Sequence, residues 1–319
     1  MTNRNVYISS CCEKGGIYQY NLCNGVLEKE HIIKLDRPMY SIINDGKLYV
    51  ILRAPYHSCS ESGMVAFNIS PKGVLTKRSD ILSTKGEVAC HLCQYKGSIY
   101  AVNYISGSVI KMPDKVITHT GNSINPKRQE SAHTHFVSPT PDDKYLCVTD
   151  LGMDKIFIYD KELNEVSAVD ARKGAGPRHL AFSDDGCLCF CVNELDSSVS
   201  VYEYNDGKLK LVNTYSTLPE GYIGENTAAA IRCRGEYVYV SNRGHNSIAC
   251  YKIIDNSLKI QSITDCGGES PRDFDISDDV LICTNENDGS VVVFDVIENT
   301  TLKQKQKINV PNALCVTIY

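Results

Sequence analysis

Short apolar segments recur along most of the chain, and each ends in asparagine or aspartate. The clearest copies end at the following positions, about 40–50 residues apart: Asn103, Asp150, Asn193, Asn242 and Asn285. A turn pair such as Asp-Gly or Lys-Gly precedes each segment, and a second apolar segment follows it. Four short strands in every repeat are typical of a β-propeller blade, and no stretch shows a sustained helical period.

Six complete repeats can be placed, and two pieces are left over at the ends of the chain. The six begin near Met39, Ala89, Ala132, Pro177, Thr227 and Pro271. The remaining pieces, 6–33 and 313–319, together make a seventh unit of four strands. The sequence therefore predicts an all-β, seven-bladed β-propeller whose ring is closed by pairing of the C-terminal strand with the N-terminal strands, which removes exposed edges. No linker of biased composition interrupts the series, so we predict that residues 1–319 form a single domain.

The strand order of a propeller blade gathers certain residues on one face of the disc. The innermost strand runs away from that face and the second strand returns to it. Residues just before the innermost strand and residues just after the second strand therefore lie together on that face. The residues concerned are Arg53, His91, Tyr104, His133, His135, Asp150, Arg178, His179, Glu194, Arg243 and Arg272. Histidines and arginines are thus concentrated on this rim, where we expect the functional site.

Composition narrows the range of partners and compartments. Hydrophobic residues make up 42% of the chain and charged residues 22%, values that suit a folded protein with a sizeable core. The net charge of −5 disfavours bulk attraction to nucleic acid or to an anionic membrane. The first residues have no apolar leader and no apolar run is long enough to cross a bilayer, so we expect a cytoplasmic protein whose fifteen cysteines are mostly reduced thiols.

Several longer motifs, in a fixed order, resemble a known family. They are NPKRQESAHTH at 125–135, PDDKYLCVTDLGMD at 141–154, GPRH at 176–179 with NEL at 193–195, SNRGHNSI at 241–248 and SPRDF at 270–274. They resemble the propeller-type lactonases, which include bacterial 6-phosphogluconolactonases and fungal carboxy-muconate cyclases. The first half departs more, since ACH at 89–91 replaces a Pro-Cys-His pattern and Leu52-Arg53 replaces an Asn-Glu strand end.

The resemblance implies a site built from one histidine, one glutamate and two arginines. By motif these are His135, Glu194, Arg178 and Arg243. Lactone hydrolysis needs an activated water and stabilisation of an oxyanion, and guanidinium groups also bind phosphate or carboxylate at two points. Either Glu194 or His135 could activate the water while the other orients it, and the sequence leaves both open. The alternative is a purely structural role, in which Glu194 only forms an ion pair with an arginine on the rim.

Four further residues are candidate substrate-binding groups: His91, His133, His179 and Arg272. His133 and His135 would face the same side of a strand, but no third ligand accompanies them, so we predict no metal. The sequence also lacks a phosphate-binding loop, a complete dinucleotide motif and an HExxH motif, and we therefore predict no cofactor.

Three functions remain open at this stage. The first is hydrolysis of a sugar lactone, with 6-phosphoglucono-1,5-lactone as the foremost substrate; the expected partner is a small anionic lactone, with no nucleic acid and no membrane. The second is a cycloisomerase that acts on a muconate-type lactone. The third is a non-catalytic propeller that serves as a binding module, because fold does not determine function.

Overall fold

Seven antiparallel sheets are arranged around one axis in the computed structural model, which describes residues 4–319. We number the blades along the chain, so that blade 1 begins at Pro38. Blade 1 consists of β4 (Pro38–Asn44), β5 (Lys47–Leu52), β6 (Gly63–Ile69), β7 (Leu75–Thr76) and β8 (Leu82–Ser83). Blade 2 consists of β9 (Ala89–Tyr95), β10 (Ser98–Asn103), β11 (Ser108–Lys111) and β12 (Lys115–Thr118). Blade 3 consists of β13 (Thr134–Pro139), β14 (Leu146–Asp150), β15 (Lys155–Tyr159) and β16 (Glu165–Asp170).

The later blades repeat this order with longer outer strands. Blade 4 consists of β17 (Pro177–Phe182), β18 (Leu188–Asn193), β19 (Ser198–Asn205) and β20 (Lys208–Ser216). Blade 5 consists of β21 (Thr227–Arg234), β22 (Tyr237–Arg243), β23 (Ser247–Ile254) and β24 (Ser257–Asp265). Blade 6 consists of β25 (Pro271–Ser277), β26 (Val280–Asn285), β27 (Ser290–Ile297) and β28 (Thr301–Asn309). The first strand of each blade starts close to the position predicted from the repeat.

Blade 7 combines both ends of the chain and closes the ring. Its inner strand is β29 (Ala313–Ile318), which pairs antiparallel with β1 (Arg4–Ser10), followed by β2 (Gly16–Cys23) and β3 (Val26–Lys34). The inner strands contact one another in sequence around the axis, from β4 through β9, β13, β17, β21 and β25 to β29 and back to β4. The predicted seven-bladed propeller and its closure are confirmed.

A repeated side-chain bond explains why so many second strands end in asparagine. Asn193 is completely buried and donates from Nδ2 to Oγ of Ser198, five residues later, at 2.9 Å. The same bond joins Asn103 to Ser108 at 3.0 Å and Asn285 to Ser290 at 3.0 Å. Each bond ties the end of the second strand to the start of the third, so the repeated asparagine is a structural element of the blade rather than part of a site.

The C-terminal strand is central to stability because it supplies the inner wall of blade 7. Ala313, Leu314, Cys315 and Val316 are all buried, and Leu314 packs into the cluster that blades 1 to 3 share. Deleting residues 313–319 should expose the edge of β1 and lower the melting temperature by roughly 10 °C or more. Thermal unfolding and size-exclusion chromatography would measure this. A truncated protein that melts like the full chain and stays monodisperse would contradict the closure.

Candidate functional site

A bulge at the same position of every inner strand directs one ring of side chains towards the axis. Where each inner strand pairs with the second strand of its blade, one residue near the start of the inner strand has no cross-strand partner, and in β21 two residues have none. These residues are Met39, Cys90, His135, Arg178, Ala229 with Ala230, Arg272 and Leu314. Bulges reorient side chains next to active sites, and here they form a ring at one end of the central channel.

A second ring comes from the ends of the second strands on the same face. Its polar members are Arg53, Tyr104, Glu194, Arg243 and Glu286. The backbone fixes these positions, since the amide of Arg53 donates to Arg37, that of Tyr104 to Val88 and that of Glu194 to Gly176 at 2.7–2.9 Å. The two rings therefore face each other across the mouth of the channel.

Between the rings lies a cavity of about 220 Å³ with a strongly cationic lining. It is lined by Met39, Arg53, Val88, Cys90, Tyr104, Arg128, His135, Glu194, Arg243 and Arg272. Four guanidinium groups thus surround a single carboxylate. Such a cavity is suited to an anionic ligand, because arginine binds phosphate and carboxylate through paired hydrogen bonds.

Glu194 is held by three arginines at once. Arg128 Nη2 lies 2.5 Å from Oε1, while Arg178 Nε and Arg243 Nη2 each lie 3.0 Å from Oε2. Burial by itself favours the neutral acid, but these arginines outweigh it and hold the pKa of Glu194 well below its ordinary value. Glu194 is therefore a permanent anion that positions the surrounding cations.

Arg178 lies beneath the cavity rather than in its lining. Its Nε donates to Glu194, and its Nη1 donates both to the carbonyl of Ala229 at 2.7 Å and to Nε2 of His179 at 3.1 Å. Burial and the neighbouring Arg243 lower the pKa of Arg178 to about 10. The arrangement fixes Glu194 from below.

His135 faces the cavity as a neutral imidazole. Burial and the charge of Arg178 hold its pKa well below the ordinary value. Its Nδ1 is buried without a hydrogen-bond partner within residues 4–319. A neutral histidine with an unoccupied ring nitrogen beside a polar cavity is able to accept a proton from water.

The next layer down the channel is a floor of closely packed, tilted and edge-on rings that contains two of the sequence-predicted histidines. His91 packs on Tyr40 and Phe136 with ring centroids 4.3 and 4.2 Å apart, and His179 lies 5.3 Å from His91 and from His135. Burial holds the pKa of both His91 and His179 well below the ordinary value. These two residues support the cavity from below and do not line it.

His133 lies outside the cavity, although it is only two residues from His135. Its ring stacks on Tyr104 at 4.5 Å, Nδ1 contacts the carbonyl of Tyr104 at 3.0 Å, and Nε2 contacts Glu130 at 3.1 Å. The strand begins only at Thr134 and carries its bulge at His135, so the two histidines do not share one strand face. Within residues 4–319 no group of three His, Cys, Asp or Glu side chains is placed to hold a metal ion.

Arg272 is in the lining, where the sequence analysis had considered it as an anion-binding group. Its Nη1 donates to Oε2 of Glu286 at 2.9 Å, and Glu286 keeps the guanidinium directed towards the mouth of the cavity. His135, Glu194, Arg243 and Arg272 are therefore brought together around one cavity.

Arg128 is the charged residue of the lining that the sequence did not single out. It lies in the loop before β13, contacts Glu194 and the hydroxyl of Tyr104, and is the most exposed of the arginines on Glu194, at 39%. A loop residue has no repeat position to reveal it. The available signal was its place within the NPKRQESAHTH motif, seven residues before His135.

A seven-bladed propeller with a cationic cavity at one mouth of its axis defines the class of protein. The chain belongs to the lactonase family of seven-bladed β-propellers, whose family model matches residues 5–318. An uncharacterized protein of Staphylococcus aureus strain USA300 is 34% identical over 315 residues, covering 90% of this chain and 91% of the relative. The predicted family is confirmed.

Solved structures agree with this fold. A protein from Lactobacillus plantarum is 26% identical with a TM-score of 0.91, and the match covers 100% of both chains. The periplasmic gluconolactonase of Pseudomonas aeruginosa is 22% identical with a TM-score of 0.90 over 99% of each chain, and this likeness concerns the fold alone. No helix within residues 4–319 has the length and apolar character needed to span a bilayer.

Proposed function

We propose that the protein hydrolyses a sugar lactone that carries an anionic group, with 6-phosphoglucono-1,5-lactone as the foremost substrate. The observation that carries the proposal is a cavity in which four arginines surround a neutral histidine and one carboxylate. Membership of the lactonase family supports the reaction type. The excess of guanidinium groups supports an anionic substrate, since Arg53, Arg128 and Arg272 are available for a phosphate.

In the proposed reaction His135 is the general base. It takes a proton from a water molecule whose oxygen attacks the lactone carbonyl, and the new C–O bond produces a tetrahedral oxyanion. Arg243 stabilises this oxyanion, and Glu194 holds Arg243 in place. The bond from the carbonyl carbon to the ring oxygen then breaks, and the protonated His135 returns its proton to that oxygen. Water is consumed, and a hydroxy acid is released.

Histidine is favoured over Glu194 as the base because of the ion pairs around the carboxylate. Three arginines occupy the oxygens of Glu194 and hold its pKa well below the ordinary value, which makes it a weak proton acceptor. His135 is neutral, lines the cavity, and has an Nδ1 without a hydrogen-bond partner within residues 4–319. Glu194 and Arg178 are thus positioning residues in this proposal, while Arg243 and His135 act on the substrate.

The test is a direct comparison of three freshly prepared lactones. Acid release from 6-phosphoglucono-1,5-lactone, glucono-1,5-lactone and a muconate-type lactone should be followed with and without the protein. We expect the highest kcat/KM with the phosphorylated sugar, about 10²-fold above the unphosphorylated one, because charge-assisted hydrogen bonds are lost with the phosphate. Turnover of the muconate lactone alone would favour the cycloisomerase, and binding without acceleration of any lactone would favour a binding module.

The pH dependence follows from the state of His135. A general base must be unprotonated, and burial with Arg178 lowers the pKa of His135, so the base stays active below pH 6.5. We expect kcat/KM, corrected for uncatalysed opening, to stay level from pH 8 to pH 6.5 and to fall only at lower pH. An acid limb centred above pH 7 would contradict the assignment.

We also propose that the protein works in a reducing cytoplasm. Cys147, Cys189 and Cys283 are buried free thiols in the blade cores. Burial raises the pKa of each of these thiols, which keeps them protonated and unreactive. Buried thiols of this kind are common where disulfides do not form.

A further inference from the structure

A second cleft opens on the same rim, between blades 5 and 6, and adjoins the central cavity at Arg243. It encloses about 520 Å³, compared with about 220 Å³ for the central cavity. It is lined by Glu225, Asn226, Thr227, Arg243, Gly244, Asn246, Glu269, Ser270 and Asn287. Because Arg243 lines both spaces, one ligand can extend from the central cavity into the cleft.

The lining of this cleft has a different chemistry from the central cavity. Apart from Arg243, which it shares with the central cavity, and Gly244, its side chains are amides, hydroxyls and two carboxylates, and none of them is apolar. Glu225 and Glu269 disfavour a second phosphate or carboxylate, while carboxylates and amides are good partners for hydroxyl groups. The cleft therefore suits an uncharged, polyhydroxylated group.

Part of the cleft is rigid and part is available for binding. Asn246 accepts hydrogen bonds on Oδ1 from the amides of Ser270 at 2.9 Å and Gly244 at 3.3 Å, and this links the two loops that form the wall. The side chains of Glu225, Glu269 and Asn287 make no hydrogen bond within residues 4–319, so their polar atoms are free for a ligand.

The approach of the two loops also depends on one glycine. Gly244 has φ = +117°, and a Cβ atom at this position would lie 2.2 Å from the carbonyl oxygen of Glu225. Any larger residue would push apart the loops that carry Arg243 and Glu225, so the width of the cleft next to the central cavity is set by the backbone.

We propose that this cleft is a second sugar subsite, so that the protein accepts aldonolactones that carry a further neutral glycosyl group. The inference rests on the proposed function, because it places the lactone end in the central cavity beside His135 and Arg243. The neutral sugar then extends past Arg243, accepts hydrogen bonds from the side-chain amides of Asn287 and Asn246, and donates from its hydroxyl groups to the carboxylate of Glu269.

Product binding tests the cleft separately from the reaction. Calorimetry should compare gluconate with maltobionate, which is gluconate bearing one additional glucosyl unit. We expect maltobionate to bind about 10-fold more tightly, as a few net hydrogen bonds would give. In the double variant Asn287→Ala/Glu269→Gln this gain should vanish while gluconate affinity stays at the wild-type value. Asn256→Ala, an exposed asparagine that contacts Glu203 on the opposite face, is the matched control and should retain the gain.

The outcomes separate the two proposals. Equal affinity for gluconate and maltobionate, or a gain that survives in the double variant, would overturn the second subsite while leaving lactone hydrolysis in place. Failure of gluconate, 6-phosphogluconate and maltobionate alike to bind would count against both proposals. Binding of free maltose as tightly as maltobionate would also overturn the subsite as part of one extended site, because the central cavity would then contribute nothing.

Discussion

Replacing His135 with glutamine should lower kcat about 10²–10⁴-fold, the usual cost of removing a positioned general base. The structural reason is that His135 is the neutral imidazole in the cavity lining, and its Nδ1 has no hydrogen-bond partner within residues 4–319. Glutamine fills a similar volume but cannot accept and return a proton at neutral pH. Steady-state rates of acid release from 6-phosphoglucono-1,5-lactone measure the effect, with circular dichroism to verify folding.

His133→Gln is the matched control for this prediction. His133 is equally buried and two residues away, but it stacks on Tyr104 outside the cavity. We expect its kcat to stay within several-fold of the wild type. If both variants lost activity equally, or if His135→Gln retained the wild-type kcat, His135 would not be the base.

Glu194→Gln should reduce both stability and activity. The carboxylate is 3% exposed and compensates Arg178, Arg243 and Arg128. Removing the charge leaves the deeply buried Arg178 without a counter-ion, and breaking such a pair costs about 3–5 kcal/mol. Arg243 also loses the group that positions it towards the substrate, so kcat should fall with kcat/KM. Chemical denaturation and steady-state kinetics measure the two effects.

Glu286→Gln is the matched control, because it removes the charge of another carboxylate that pairs with an arginine but is less buried than Glu194. Within residues 4–319 Glu286 forms an ion pair with Arg272, and its side chain is 29% exposed. We expect a smaller destabilisation than for Glu194→Gln, because Glu286 is more exposed and forms an ion pair with one arginine rather than with three. A Glu194→Gln variant as stable as Glu286→Gln would mean that Glu194 does not organise the arginines.

The fold could be predicted because its determinants are local and repeated. Turn pairs such as Asp45-Gly46, with φ of +47° and +67°, mark the hairpins between first and second strands. The asparagine that ends several second strands, at 103, 193 and 285, marks the bond to the following strand. Closure followed from the two unpaired pieces at the chain ends, because a ring has no exposed edge.

From the strand order alone the site could be predicted only to the level of the rim, and the resemblance to a known family singled out His135, Glu194 and Arg243 on that rim. The sequence placed His135, Arg178 and Arg272 early in inner strands, but a bulge adds one residue without any compositional signal. Because the alternation of side chains is interrupted there, the sequence could not show that His135 lines the cavity while His133 lies outside it. Arg128 was missed because it lies on a loop, where position is set by tertiary contacts rather than by the repeat.

The measurement that tests the central claim most directly is the rate of opening of 6-phosphoglucono-1,5-lactone with wild-type protein and with His135→Gln under one set of conditions. We expect a large acceleration by the wild type over the spontaneous reaction, and loss of most of this acceleration in the variant. A wild-type protein that leaves the spontaneous rate unchanged, or a variant that accelerates as well as the wild type, would contradict it.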